Sequence, residues 1–209
     1  MRLFILIFLL VAFKISLTGQ NFGVGVSTGI NASQVSGDSF GGFNKAGINA
    51  GIFSVTELNE KFNFQFEINL SEKGSRKNAR PDKNDLISFI IRMRYIEVPL
   101  ILQYKKKRFT YEAGLAYSRL ISTYLEDQNG ETTIAPGSNQ FKNSDYTGLV
   151  GINFNFTEHL LMNWRFSSSI GPFRDFKIDP NLTLPFNGGM FHHYIAFTFK
   201  YQFLGTNGK

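Results

Sequence analysis

The amino-acid sequence predicts an all-β fold, an eight-stranded antiparallel up-and-down transmembrane β-barrel with short periplasmic turns and long extracellular loops. Three observations predict it. Apolar and polar residues alternate along eight segments, the connections between these segments are alternately long and short, and the polar face consists mainly of small uncharged residues. Transmembrane barrels combine these features, because their strands alternate apolar residues facing lipid with polar residues facing the lumen.

Residues 1–19 are predicted to be a signal peptide. Arg2 precedes the apolar run Leu3–Phe13, which is followed by small or polar residues up to Gly19. A basic start, a short apolar stretch and a small-residue exit are typical of a secretory signal, and this run is too short to span a bilayer as a helix. We therefore expect export, removal of this segment, and a barrel domain formed by residues 20–209.

The predicted strands follow the alternation. It is clearest in Phe62–Ser71 (FNFQFEINLS) and in Phe191–Phe203. Since successive side chains of a strand point to opposite faces, each segment has one apolar and one polar face. The segment Ile90–Tyr104 changes phase near Tyr95 and Ile96, which predicts a β-bulge in that strand. The remaining predicted strands, in chain order, are Phe22–Ile30, Ala46–Val55, Phe109–Ile121, Tyr146–Phe156 and Leu160–Ser168.

The connections alternate in length in step with the direction of the strands. Transmembrane barrels show this asymmetry because their periplasmic turns are tight and their extracellular loops are longer. Eight strands leave a lumen that side chains can fill, so the prediction excludes a general diffusion porin. The long connections lie near residues 31–45, 72–88, 122–144 and 170–190, and the short ones at residues 56–61, 105–108 and 157–159.

The composition of the polar face predicts that this face lines the interior. A soluble barrel would show the same period with its apolar face inward, and its water-facing side would be rich in Lys and Glu. Here the basic residues crowd the connections, as in Lys105–Arg108. We therefore expect the large Phe, Leu and Trp side chains to contact lipid. The polar-face residues are mostly small or uncharged, namely Gly23, Gly25, Ser27, Gly29, Gly114, Ala116, Gly151, Asn153, Asn155 and Ser167.

The overall composition excludes several classes of function. The 209 residues contain no cysteine, which excludes disulfide scaffolds, thiolate metal sites and cysteine nucleophiles. The 23 phenylalanines exclude a disordered chain, which would be poor in aromatic residues. The net charge of +6 is spread along the chain without a basic stripe, so we expect no nucleic-acid partner. No ligand spacing predicts a metal, and we expect no cofactor.

Five charged residues fall on the predicted lumen face. Counted from the periplasmic end, Glu67 lies at a similar height to Arg165, and Glu112 lies level with Lys200. Charges in a narrow lumen must pair, because desolvation is costly and hydrogen-bonded pairing offsets it. We expect a salt-bridge network in which Arg165 pairs with Glu67 or Glu97. Lys200 is expected to pair with Glu112. The alternative is a proton or ion path, or a pair of catalytic carboxylates.

Serines and histidines meet at the predicted external rim. Ser167, Ser168 and Ser169 lie at the end of one strand. His192 enters the last strand facing the lumen, and His193 faces lipid. Some barrel enzymes hydrolyse or transfer acyl chains of outer-leaflet lipid with a serine and a histidine near the membrane edge. A rim site of Ser167, Ser169 and His192 is therefore an alternative hypothesis, in which no spacing fixes an acidic partner.

Four stretches resemble the PorT-like outer-membrane β-barrel family, which is widespread in Bacteroidetes. The stretch Arg94–Tyr104 is the most specific of the four, because it places Glu97 and Pro99 within an apolar strand. The resemblance implies the barrel fold and the outer-membrane location, and it carries no catalytic motif. Some members of that family are accessories of a secretion system, so the resemblance also implies envelope or secretion-complex proteins as partners. The stretches are STGINASQVSGD (Ser27–Asp38), FEINLSEKGS (Phe66–Ser75), RYIEVPLILQY (Arg94–Tyr104) and FTYEAGLAYSRLIS (Phe109–Ser122).

The predicted function is that of a non-enzymatic integral protein of the cell outer membrane, either structural or accessory to an envelope or secretion complex. Its other predicted partner is outer-membrane lipid, since basic residues between Ser71 and Asn84, including Lys73, together with Arg119 would lie near lipid phosphates. Two alternatives stay open. One is an outer-leaflet lipid-modifying enzyme with the Ser/His rim site, and the other is a narrow channel for small solutes.

Overall fold

The computed structural model describes residues 22–38, 41–134, 140–175 and 188–203. The predicted signal peptide, residues 1–19, lies outside the described residues. Within the described ranges, no helix is long and apolar enough to cross a membrane. The one helical turn in these ranges is the 3₁₀-helix Pro81–Lys83.

The described residues form a single antiparallel sheet that closes on itself. Each long strand pairs with its neighbours along the chain, and the first pairs with the last from Gly25 opposite Gln202 to Ser36 opposite Phe191. Closure leaves no edge strand among the eight long strands, and the short strands β6 and β9 each pair on one side only. The predicted fold class is confirmed. The strands are β1 (Phe22–Ser36), β2 (Lys45–Glu57), β3 (Phe62–Lys77), β4 (Phe89–Lys106), β5 (Phe109–Asp127), β6 (Gly130–Thr132), β7 (Ser144–Asn155), β8 (Leu160–Ser169), β9 (Arg174–Asp175) and β10 (Gly189–Gln202).

Several strands extend further toward the long loops than the alternation predicts. β1 continues to Ser36, β3 to Lys77 and β5 to Asp127. These extensions carry polar residues on both faces, so the apolar period that reveals a strand within lipid is lost there. The connection predicted at 72–88 therefore shortens to residues 78–88.

The predicted β-bulge lies at the right height but in the other strand. The pairing of β4 with β5 shifts between Arg94 and Tyr95, because Ser122 opposes Arg94 while Leu120 opposes Tyr95. Ile121 is thus the extra residue, and it belongs to β5. β4 itself alternates without a change of phase.

The two faces of the barrel are oriented as the polar-face composition predicts. The exposed fraction is 59% for Trp164 and 61% for Ile48, whereas it is 1% for Glu67 and 5% for Arg165. Large apolar side chains therefore cover the outside and polar side chains fill the inside. A contiguous apolar exterior of this kind requires lipid rather than water around it.

Candidate functional site

The lumen contains an open cavity at the end that carries the short turns. This lower cavity has a volume of about 430 Å³. Amide side chains line its wall, among them Asn63, Gln65 and Gln103, and the basic residues Lys107 and Arg108 lie at its edge. The cavity is thus polar and bordered by positive charge.

Four charged side chains close the lumen above this cavity, and we call them the ionic layer: Glu67, Glu112, Arg165 and Lys200. Arg165 donates two hydrogen bonds of 2.9 Å to the carboxylate of Glu67 and one of 2.7 Å from Nε to Glu112 Oε1. Lys200 Nζ lies 2.7 Å from Glu67 Oε1. Each of the four residues is at most 5% exposed. Two cations and two carboxylates therefore form a neutral, buried group.

Amide side chains complete the coordination of the two carboxylates. Asn69 donates to Glu67 at 2.7 Å, and Gln65 donates to the same carboxylate. Asn163 and Asn153 donate to Glu112 at 2.9 and 3.2 Å. Buried ions are tolerated when their remaining lone pairs are hydrogen-bonded. The donor set therefore satisfies both carboxylates without a bound ion or solute.

The predicted residues of this network meet only in part. Arg165 pairs with Glu67, which was one of its two expected partners, and also with Glu112. Lys200 pairs with Glu67 instead of Glu112. Glu97 belongs to a separate group. The pattern of alternation gives the face of each residue, but the tilt of the strands decides which residues share a height.

Glu97 forms a second ion pair, closer to the long loops, with Lys73. Lys73 Nζ lies 2.9 Å from Glu97 Oε2, and Tyr194 donates its hydroxyl hydrogen to the same carboxylate. The ammonium group also lies 4.4 Å from the ring centroid of Tyr194 and 4.9 Å from that of Tyr95. The expectation that Lys73 sits in an external loop near lipid is wrong, because β3 continues and turns this side chain inward. The period of two that Ser71, Lys73 and Ser75 share with the lumen-facing residues before them was the sequence signal that could have assigned Lys73 to the lumen.

An apolar cap of buried side chains lies in the lumen above this ion pair. Phe173, which follows β8, is fully buried and stacks on the His192 ring with centroids 3.8 Å apart. The Nε2 edge of the His192 ring faces Tyr95, whose hydroxyl oxygen lies 3.1 Å from Nε2. The cap consists of Val35, Ile91, Met93, Tyr95, Leu125, Phe173 and Met190.

The rim residues predicted as an alternative site do not form a nucleophile and base. The Ser169 hydroxyl donates to Asp145 at 2.9 Å and accepts the backbone N–H of His192, while the His192 ring binds Tyr95. Ser167 is fully buried in the lumen. A catalytic set needs the serine, the base and an orienting group in mutual contact. These residues are instead packed into the wall of the lumen.

A serine and a histidine do meet on the outer face. Ser168 Oγ lies 2.9 Å from His193 Nδ1, and both side chains are partly exposed. No carboxylate binds His193 within the described residues, so the described geometry holds a pair rather than a triad. The same ranges contain no cluster of three His, Asp or Glu side chains suited to a metal ion.

Comparisons with solved structures show the same fold. Neisserial surface protein A (NspA) is 12% identical with a TM-score of 0.53, covering 88% of this chain and 99% of that one. Ail, the attachment invasion locus protein of Yersinia pestis, is 13% identical with a TM-score of 0.50, covering 87% of this chain and 98% of that one. Among proteins of curated function, none matches the chain.

The family assignment comes from the sequence profile described as outer membrane protein beta-barrel domain, which matches residues 18–175. That range spans most of the chain, including strands β1 to β9. The matched family, the closed sheet and the apolar exterior agree on the location, which is the outer membrane, with the short turns on the periplasmic side. The chain belongs to the outer membrane protein beta-barrel domain family.

Proposed function

We propose that this protein is a closed, non-enzymatic barrel of the PorT-like type that serves the outer membrane as a structural protein or as an accessory to an envelope or secretion complex. The observation that carries the proposal is the occlusion of the lumen. The ionic layer, the ion pair of Lys73 with Glu97 and the apolar cap lie one above another. Because these groups fill the lumen within the described residues, the barrel offers its surfaces rather than its interior.

The occlusion favours this proposal over a narrow channel. A solute that enters the lower cavity meets the side chains of Arg165 and Glu67, which are joined by two hydrogen bonds and fully packed. Separating them would leave buried charges unpaired, at a cost of about 3–5 kcal/mol. Planar-bilayer recordings of the purified protein are therefore expected to show no discrete conductance, and reproducible single-channel steps would overturn this part of the proposal.

The accessory role is tested by co-purification from native outer membranes after mild detergent extraction. The matched control is a variant in which residues 78–88, the connection between β3 and β4, are replaced by a flexible Gly/Ser linker. A stoichiometric protein that accompanies the wild type and is lost from the loop variant supports the accessory role. If wild type and variant both purify alone, the structural role is the one retained.

A second candidate function is the modification of outer-leaflet lipid, and the contact between Ser168 and His193 on the outer face favours it. The variants Ser168→Ala and His193→Ala would then change the acylation pattern of outer-membrane lipid in mass spectra. His192→Ala is the matched control, because that ring points into the lumen. Identical lipid profiles in all strains would eliminate this candidate.

A further inference from the structure

Charged residues appear abruptly on the outer face of three adjacent strands. On β3 the outward residues are apolar from Phe62 to Leu70, and the next one is Glu72. β5 repeats the pattern from Phe109 to Tyr117, followed by Arg119. On β4, which runs in the opposite direction, they are apolar from Tyr104 to Ile96, followed by Arg94 and Arg92. In each strand, ten residues separate the first apolar residue from the first charged one.

This spacing matches the thickness of the apolar band of a membrane barrel. Ten residues at about 3.3 Å each cover about 33 Å along a strand. At a strand tilt of about 40° the corresponding height is about 25 Å, which is the height of the band that contacts acyl chains. The side chains of Arg94 and Arg119 therefore lie at the level of the outer-leaflet headgroups.

The positive charge at this level exceeds the negative charge. Glu72 is contacted by Lys45 at 2.8 Å, by Arg94 at 3.3 Å and by Arg92 at 3.5 Å. The side chains of Arg92 and Arg94 are 42% and 55% exposed. Arg119 contacts the hydroxyl of Ser144 and, within the described residues, has no carboxylate at ion-pair distance. Glu72 thus contacts three cations, and Arg119 adds a fourth positive charge on β5. Further toward the long loops, Glu126 accepts the hydroxyl hydrogen of Tyr124, whose ring lies 5.6 Å from the Arg92 guanidinium carbon.

Among the described residues, the excess at this height lies on the adjacent strands β2 to β5. The positions ten residues from the first outward residue of the other long strands carry neither a carboxylate nor a Lys or Arg side chain. These positions are Ala32, Ala46, Ser144, Ile170 and Phe191. A uniform belt would indicate general solvation of the rim, whereas a local cluster beside an apolar surface indicates a bound group.

We propose that Arg92, Arg94 and Arg119, the arginine cluster, bind the phosphate of an outer-leaflet lipid. The planar guanidinium group matches phosphate oxygens in a two-bonded geometry. The acyl chains of the same lipid would lie on the apolar residues directly below, such as Ile96 and Leu100. Glu72 holds Arg92 and Arg94 in place and also competes with the phosphate for their N–H groups. This inference concerns the outer face and is independent of whether the barrel has a protein partner.

The test measures lipid binding by native mass spectrometry of the detergent-solubilised full-length mature protein. The probes are a phosphorylated outer-leaflet glycolipid, the same glycolipid after enzymatic dephosphorylation, and inorganic phosphate. We expect the wild type to bind the phosphorylated lipid at least about tenfold more tightly than the dephosphorylated one, and inorganic phosphate weakly. In the variant R92Q/R94Q/R119Q this affinity should fall about 100-fold, at about a factor of five per basic residue near the surface.

Two further variants make the test independent of folding defects. K106Q/K107Q/R108Q removes three positive charges at the periplasmic end and should retain wild-type binding. Glu72→Gln removes the competing carboxylate and should strengthen binding, a gain that misfolding cannot produce. Equal binding of the two glycolipids, equal loss in both triple variants, or binding of inorganic phosphate as tight as that of the lipid would overturn the proposal.

Discussion

The ionic layer and the arginine cluster are built from the same types of charged residue, but the first is neutral and buried whereas the second is positive and exposed. In the ionic layer, Glu67 receives Arg165 and Lys200 inside the lumen, every charge is balanced, and amide donors satisfy the remaining oxygens. Beside the arginine cluster, Glu72 also receives several cations, but the side chains of Arg92 and Arg94 are about half exposed and positive charge is left over. A buried group must be neutral to be tolerated, whereas a group at the headgroup level can keep an excess for a ligand. The difference separates charges that hold the barrel from charges that bind.

The largest effect is expected from Arg165→Met. This change leaves Glu67 with one cation and Glu112 with no direct ion pair, both fully buried, and should lower the free energy of unfolding by about 4 kcal/mol. Urea unfolding of the protein in lipid vesicles measures it. Arg108→Met at the periplasmic turn is the matched control and should change stability little. Equal stability of the two variants would show that the ionic layer does not hold the barrel.

A smaller loss is expected from Lys73→Met. It removes the ion pair with Glu97, but the Tyr194 hydroxyl still donates to that carboxylate, so we expect about 3 kcal/mol. In K73M/E97Q the unpaired charge is gone, and most of the stability should return. The same urea titration checks both variants. A double variant no more stable than Lys73→Met would mean that packing, rather than charge pairing, dominates at this height.

The exposed cluster should contribute far less to stability. Arg94→Gln breaks a contact of 3.3 Å with Glu72 at a half-exposed site, where ion pairs contribute at most about 1 kcal/mol. We expect unfolding of this variant to be indistinguishable from the wild type within that limit, while its affinity for the phosphorylated glycolipid falls about fivefold. A loss of stability as large as that of Arg165→Met would erase the distinction between the two groups.

The fold was predictable from the sequence because a membrane barrel displays its two environments with a period of two. Glu67 and Arg165 could be assigned to the lumen from that period alone. Their partners could not, since the height of a residue depends on strand tilt and stagger, which leave no mark in the sequence. This is why Lys200 was assigned to Glu112 although it binds Glu67.

Beyond the apolar band the period carries less information. Lys73 was assigned to a loop because the residues around it are polar on both faces of β3. The sequence did not predict that Arg92 and Arg94 face outward, because the phase of β4 seemed to change near Tyr95. The phase does not change there: Tyr95 and Ile96 are both apolar, but Tyr95 belongs to the cap and Ile96 faces lipid. Where both sides of a sheet face polar surroundings, hydrophobicity no longer distinguishes inside from outside.

The smallest effect is expected in the loop beyond the arginine cluster. Lys77 Nζ lies 3.0 Å from Asp85 Oδ2, and this hydrogen bond holds the pKa of Asp85 below its ordinary value. The folded pKa lies below the unfolded one, so the stabilisation is present at neutral pH and is lost as the pH falls through the folded pKa. The Asp85 carboxylate also accepts the backbone N–H of Ile87, whose NMR chemical shift can therefore report the titration.

We expect the Ile87 amide signal in detergent micelles to titrate with a midpoint below about 3.9, the ordinary value for aspartate. Lys77→Gln should raise the midpoint toward that value, because the positive partner is lost, and Asp85→Asn should abolish the titration. The free energy of unfolding should fall only slightly in both variants, since the pair is partly exposed and such ion pairs contribute little. A wild-type midpoint at or above that of Lys77→Gln would mean that Lys77 does not lower the pKa of Asp85. Stabilising ion pairs would then be confined to the lumen and the headgroup level.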